Sequence, residues 1–286
     1  MKEFIKSPLN YTGGKYDLLP ELIKIFPENI NTFVDVFGGG FNVGINVKAE
    51  HIIYNDINKQ LCDLIVSFRK TNMNDILNEI NSLILYYNLS KGSKEGYSKL
   101  REDYNNYPTS IKLYVLSCFS FCYQIRFNKK GKFNMPCGNR EFSENMKNNL
   151  INFKNKLDKI SFQVSNLDYT KLDYEKFNKK DLFLYLDCPY LISTATYNEN
   201  GGWNENEEKR FLNWVQLLKD KNIKFALSNV LVHRGKVNLL LNEFLSKNKD
   251  LNIIKITNKK YKNNQYHGKV NTNDTEEVVI TNYENK

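Results

Sequence analysis

Short β-prone runs alternate with helical stretches along almost the whole chain, and that alternation restricts the fold more than any other feature. The segment "NTFVDVFGGGFNVGINV" opens with an apolar run from Phe33 to Phe37, breaks at Gly38 to Gly40, and resumes with spacing that fits a helix. A second run, "HIIYNDIN", ends at Asn55 and Asp56, and "LCDLIVSFRK" then returns to helical spacing. Further strand-like runs follow at "KISFQVSN", "DLFLYLD", "IKFALSN", "LNIIKIT" and "EEVVITNY", with the helical "NEEKRFLNWVQLLKD" among them. Strand, crossover helix and strand in repeated order predict an α/β fold built on a largely parallel sheet, with helices on both faces.

Residues 71–155 break the alternation. Two helical patterns, "DILNEINSLILYYN" and "IKLYVLSCFSFCYQI", precede the polar, basic stretch "RFNKKGKFNMPCGNR". The predicted division is therefore a ligand-binding α/β unit over 1–70 and 156–286, with an inserted, mainly helical unit over 71–155.

Charge narrows the function. Of 286 residues, 41 are Lys or Arg and 32 are Asp or Glu, a net charge of +9 with a pI near 9.1. That balance favours a polyanionic partner, nucleic acid first. No apolar run approaches the roughly 20 residues that cross a bilayer, and the start "MKEFIKSPLN" has no signal-like apolar stretch. The expectation is an intracellular protein with no membrane partner. The five cysteines form no CxxC pair, so reduced thiols are expected and no metal site. Cys118 and Cys122, four apart, are expected on one buried helix face. His233 and His267 have no partners recognisable in sequence and receive no catalytic part.

Two motifs carry chemistry. At Gly38, Gly39 and Gly40 a backbone without β-carbons lets a ligand approach closely, and a helix starting after the turn would aim free N–H groups at it. The spacing departs from G-x-G-x-x-G, and no Lys-Ser/Thr follows for a phosphate loop. Asp56, about 20 residues on, is placed like the strand-end acid that accepts hydrogen bonds from ribose hydroxyls. The second motif, "LYLDCPY", runs an apolar strand into Asp187, Cys188, Pro189 and Tyr190. A carboxylate, an exposed main-chain carbonyl and a flat ring suit a planar amine. Two acceptors on its N–H bonds favour a pyramidal nitrogen whose lone pair can meet an electrophile. A base in a duplex reaches such a pocket only by leaving the stack.

Between Gln124 and Arg140 lie Arg126, Lys129, Lys130, Lys132 and Arg140, interleaved with Phe127 and Phe133 and with no acid. The "NKKGK" turn between β-prone arms predicts a hairpin suited to a DNA groove. A second acid-free stretch, Lys255 to Lys269, is expected to add phosphate contacts or a flap.

Together these residues resemble the Dam-type (D12 class, alpha group) DNA adenine-N6 methyltransferases. The likeness spans "LNYTGGKYDLLPEL", "FVDVFGGGFNVGINV", "NDIN", "QIRFNKKGKFNMPCGNR", "LYLDCPYL" and the closing "TEEVVITNY", with the T-even phage GATC enzyme as the nearest known member. The resemblance implies a Rossmann-like methyltransferase mixed sheet with helices on both faces, plus an inserted mainly helical target-recognition domain carrying a β-hairpin. It implies S-adenosylmethionine as methyl donor, S-adenosylhomocysteine as product, and no metal. Tyr11 and Lys15 match the N-terminal cofactor motif, Phe37 to Gly40 the glycine loop, Asp56 the ribose acid, and Asp187 to Tyr190 the catalytic tetrapeptide, with Asp187 also facing the cofactor.

By the same likeness Arg126 and Arg140 read the bases of a double-stranded GATC site, with Gln124 and Pro136 adjoining them, in the cytoplasm of a bacterial or phage-infected cell; lysines clustered at a turn more often meet phosphates. A companion restriction enzyme and a monomer or weak dimer are in keeping with the family. The family usually has proline where this chain has Cys188, which leaves the main-chain carbonyl in place. Two alternatives stand beside this reading. One is a catalytically impaired DNA-binding relative; the other is methylation of a protein glutamine or an RNA amine.

Overall fold

The computed structural model describes residues 4–174, 176–179, 181–193, 202–256 and 275–284. Eight strands form one mixed sheet in the order β3-β2-β1-β4-β5-β8-β7. They are β1 (Thr32–Asp35), β2 (His51–Asn55), β3 (Phe162–Ser165), β4 (Leu182–Leu186), β5 (Lys224–His233), β6 (Lys236–Val237), β7 (Asn252–Lys255) and β8 (Thr275–Thr281), with the short β6 hooked onto β5. Strands β3, β2, β1, β4 and β5 run parallel, whereas β8 lies antiparallel between β5 and β7.

Side chains of the central strands alternate between two hydrophobic layers, the period-two consequence of the pleat. Phe33, Ile52, Tyr54, Phe183, Tyr185 and Val279 join one layer, and Val34, Ile53, Leu184, Leu186, Leu227 and Ile280 join the other. Both faces are covered, which is why these strands read as continuous apolar runs. The first layer is roofed by α1 (Leu19–Ile25), α2 (Lys59–Lys70), α5 (Ser110–Phe119) and α6 (Glu144–Leu157). The second is roofed by α7 (Glu205–Asp220) and α8 (Leu239–Lys247).

Two helices, α3 (Met73–Tyr86) and α4 (Lys94–Asn106), complete the helical segment over 71–155. Ile76, Ile80, Tyr97 and Leu100 belong to the same apolar cluster as Phe33 and Tyr54, so its core is continuous with one face of the sheet. After α5 the chain makes the expected hairpin, with an antiparallel bridge between Phe127 and Phe133. Asn128 organises its tip: the side-chain oxygen accepts from the Lys130 and Lys132 N–H groups, and Gly131 takes φ +70°. Asn105 of α4 clamps the return arm by accepting from Phe133 N–H and donating to Phe133 C=O, 2.8 and 3.1 Å.

Two sequence expectations are corrected. No α-helix follows the glycine cluster; the chain makes only a 3-10 turn, Gly44–Asn46. Phe41 sits at φ +61°, and the Asn42 and Asn46 side chains are spent holding the backbone of Ser7 and Ile5. The free helix N-terminus expected there is thus missing. Cys118 and Cys122 are both buried, but not on one helix face. Helix α5 stops at Phe119, and Cys122 and Tyr123 take φ +54° and +57°. Of the acid-free stretch Lys255–Lys269 only Lys255 and Ile256 are described, so the expected flap and His267 lie outside the described residues.

Candidate active site

In the order β2-β1-β4-β5 the direction of chain progression reverses between β1 and β4, and a crevice opens beyond the carboxyl ends of those strands. The glycine cluster leaves β1 there, the Asp187–Tyr190 turn leaves β4, and Asp56 leaves β2. All of them, with Tyr11 and Lys15, line one open cavity of about 180 Å³.

The glycine wall is built by close approach. A β-carbon on Gly38 would lie 2.3 Å from the Tyr54 ring, and Gly39 takes φ +46° with the Tyr11 ring 2.9 Å from where its β-carbon would stand. Asp56 pins this wall. Its Oδ2 accepts from Gly39 N–H at 2.9 Å, and its Oδ1 accepts from Asn58 N–H at 2.7 Å. Burial raises the pKa of Asp56, and those two N–H groups oppose the rise. Phe37 lies half-buried at the mouth, ringed by Tyr169, Trp203 and Phe211.

The opposite wall is the tetrapeptide. The Lys15 ammonium contacts Asp187 Oδ1 at 2.8 Å, lies 5.1 Å from the Tyr190 ring centroid, and donates to Gly13 C=O. The Tyr190 hydroxyl lies 3.2 Å from both Asp187 Oδ1 and Glu277 Oε1, so its single proton is shared between two acceptors. The Cys188 side chain points into the second hydrophobic layer, and burial drives its thiol pKa well up. That apolar setting disfavours a thiolate.

Three carboxylates face this cavity, because Asp35 at the end of β1 also lines it. Burial first, then the charges of Asp187 and Asp56, push Asp35 up to about 7, against a hydrogen bond from Gly44 N–H at 3.0 Å. Sequence reading passed over Asp35 and Glu277. The signal was an acid inside an apolar strand run at Asp35, "VDV", and one at the start of such a run at Glu277, "EEVV". Glycine backbone, acids for hydroxyl or ammonium groups and the apolar Phe37 and Ile57 together fit a ligand that is part aromatic, part polyol and part cation. Among the described residues no cluster of His, Cys, Asp or Glu could hold a metal ion.

The residues expected to meet DNA gather elsewhere. Lys129, Lys130, Lys132, Pro136 and Arg140 are exposed on the hairpin and its return, and Gln124 is half-buried at its root. Arg126 reaches across the arms, donating from Nε to Asn134 Oδ1 at 3.0 Å, and the Arg140 guanidinium lies 4.9 Å from the Tyr123 ring centroid. The hairpin root is joined to the segment that carries Tyr11 and Lys15 by a hydrogen bond from Asn10 to Cys122 C=O, 2.7 Å.

Comparison with known proteins agrees with this geometry. Residues 11–263 match the family described as D12 class N6 adenine-specific DNA methyltransferase. The modification methylase StsI of Streptococcus sanguinis is 42% identical, over all of this chain and 44% of its own length. The type II methyltransferase M.FokI of Planomicrobium okeanokoites is 39% identical over 99% of this chain and 43% of its own. The chain thus spans less than half the length of these two relatives. A DNA adenine methylase of Haemophilus influenzae is 27% identical, over 77% of this chain and 78% of its own length. Where the motifs pointed to a T-even phage enzyme as nearest kin, whole-chain similarity leads to modification methylases. With most of its length matched and the motifs converging on one crevice, the chain belongs to the D12 class of N6 adenine-specific DNA methyltransferases.

Proposed function

We propose that this chain transfers a methyl group from S-adenosylmethionine to N6 of an adenine extruded from double-stranded DNA. The observation that carries the reading is the shared cavity: the glycine cluster and the Asp187–Tyr190 turn face each other across one crevice. The donor supplies an electrophilic methyl on a sulfonium. Gly38 to Gly40 with Phe37 form its wall, Asp56 accepts from ribose hydroxyls, Tyr11 flanks it, and Asp35 balances positive charge.

On the target side, the Asp187 carboxylate and the Cys188 main-chain carbonyl accept the two N6 hydrogens and hold the nitrogen lone pair towards the donor. Any residue supplies that carbonyl, so cysteine in the second position is compatible with turnover. The Tyr190 ring is the stacking surface, and the Lys15 ammonium holds the Asp187 carboxyl in place until the amine engages it. Methylation costs the nitrogen one proton. Asp187, whose side chain is 17% exposed, is placed to take that proton and return it to water.

Residues 71–155 form the target-recognition region in this reading, with Gln124, Arg126, Pro136 and Arg140 towards the bases and Lys129, Lys130 and Lys132 towards phosphates. The proposed target is GATC, on the strength of the motif resemblance. A modification role alongside an endonuclease of the same specificity fits the type II relatives.

The test is expression in a host lacking adenine methylation, followed by genome-wide mapping of N6-methyladenine. Methylated GATC is expected. Methylation of another motif would replace the site and keep the chemistry, and unmethylated DNA with a cofactor-loaded protein would contradict the reading.

A further inference from the structure

Behind the Asp187–Tyr190 turn lies a buried polar cluster that the chemistry above does not use. Its centre is Glu208, in the first turns of α7 and 0% exposed. Oε2 accepts from the Trp203 indole N–H at 2.6 Å, and Oε1 accepts from Asn238 Nδ2 at 3.2 Å. The Asn229 side chain gives a third hydrogen bond. A carboxyl group is expensive to bury, and here three N–H donors offset the burial.

The spokes lead to both walls of the cavity. Asn229 on β5 is also 0% exposed, and its Oδ1 accepts from Val230 N–H at 2.8 Å. That bond fixes the amide orientation, so its Nδ2 hydrogens face Glu208 on one side and Cys188 Sγ, 3.8 Å away, on the other. The Trp203 ring stands edge-on to Phe37, centroids 6.1 Å apart at 78°. Phe37 begins the glycine wall, and Cys188 is the second residue of the tetrapeptide.

We propose that Glu208 is a positioning residue: one buried carboxyl holds the donor-side wall through Trp203 and Phe37, and the amine-side turn through Asn229 and Cys188. Cysteine at 188 has a place in this device, since its sulfur accepts the Asn229 N–H that a proline would leave without that acceptor. Glu208 touches neither substrate, so it acts on the separation of the two walls. Binding of each substrate alone is therefore spared, and the transfer step that needs both is impaired.

The inference rests on the proposed methyl transfer, and the experiment separates the two. Wild type, Glu208→Gln and Asn229→Leu are purified as full chains and compared by four measurements. These are melting, equilibrium binding of S-adenosylmethionine, binding of a target duplex, and the single-turnover rate at saturation. Glutamine turns one acceptor into a donor facing another donor; leucine removes the Asn229 bonds to Glu208, Cys188 and Val230 N–H together, and the double variant is carried through the same measurements.

Both variants are expected to bind cofactor and duplex within about threefold of wild type, yet to transfer methyl at least about tenfold more slowly. The double variant should lose less than the product of the two losses, as members of one network do. A full transfer rate in either folded variant, or a loss expressed only as weaker binding, would overturn the role of Glu208. If Glu208→Gln does not fold, Asn229→Leu decides. A wild type that transfers nothing sinks the proposed function, and this inference with it.

Discussion

Asp35 ends β1 with its carboxyl buried near Asp56 and Asp187, and its pKa of about 7 has two consequences of opposite sign. The folded state holds the proton more tightly than the unfolded chain, whose reference value is 3.8. The free protein therefore loses stability from Asp35 as pH climbs from that value through about 7. A ligand bearing a sulfonium and an ammonium prefers the ionised carboxylate, so its binding should strengthen across the same range. Affinity for S-adenosylmethionine is expected to rise by up to about tenfold per pH unit below about 7 and then flatten. In Asp35→Asn that slope should shrink, which titration calorimetry across the range would show; an unchanged slope would assign it to Asp56 or another group. Sequence reading found the residues with motif context, Lys15, Asp56 and Asp187. It missed Asp35 and Glu277, because an acid within an apolar run gives no sign of which cavity it will face.

The hairpin over 124–140 was legible as an element because its turn chemistry is local: Asn128 and Gly131 satisfy the tip without help from elsewhere. Its mounting was not legible. Tyr97 donates to Met135 C=O and Asn105 holds Phe133, contacts made between residues 28 and 38 positions apart. The segment after the glycines failed as a helix for a comparable reason. Asn42, Gly44 and Asn46 are weak helix formers, and the two asparagines bind the backbone of residues 5 and 7 instead.

A rigidly clamped hairpin with lysines at its tip and Arg140 on its return predicts a division of labour. Lys130→Ala should weaken every duplex alike and lower the salt dependence by about one ion, whereas Arg140→Ala should cost about 1–3 kcal/mol at one base pair only. Competition binding with single-substitution duplexes at two salt concentrations tells them apart. A base-selective loss from Lys130→Ala would put the reading head at the tip.

At the scale of the molecule, the alternation of strand and helix predicted the sheet, and the parallel pairing of β1 with both β2 and β4 makes the crevice. The antiparallel insertion of β8 between β5 and β7 was beyond sequence reading, since it joins runs far apart in the chain. That insertion carries Glu277 to the Tyr190 hydroxyl. Within the described residues no helix is long and apolar enough to cross a membrane, in keeping with the charged, crevice-bearing surface.

The central claim is that the ends of β1 and β4 hold two reactants against each other. Crystals of this chain with S-adenosylhomocysteine and a target duplex test it most directly. The product is expected along Phe37 to Gly40, and the target adenine out of the helix with its N6 at Asp187 and the Cys188 carbonyl. An adenine still stacked in the duplex, or extruded to a surface that does not face the glycine wall, would contradict it.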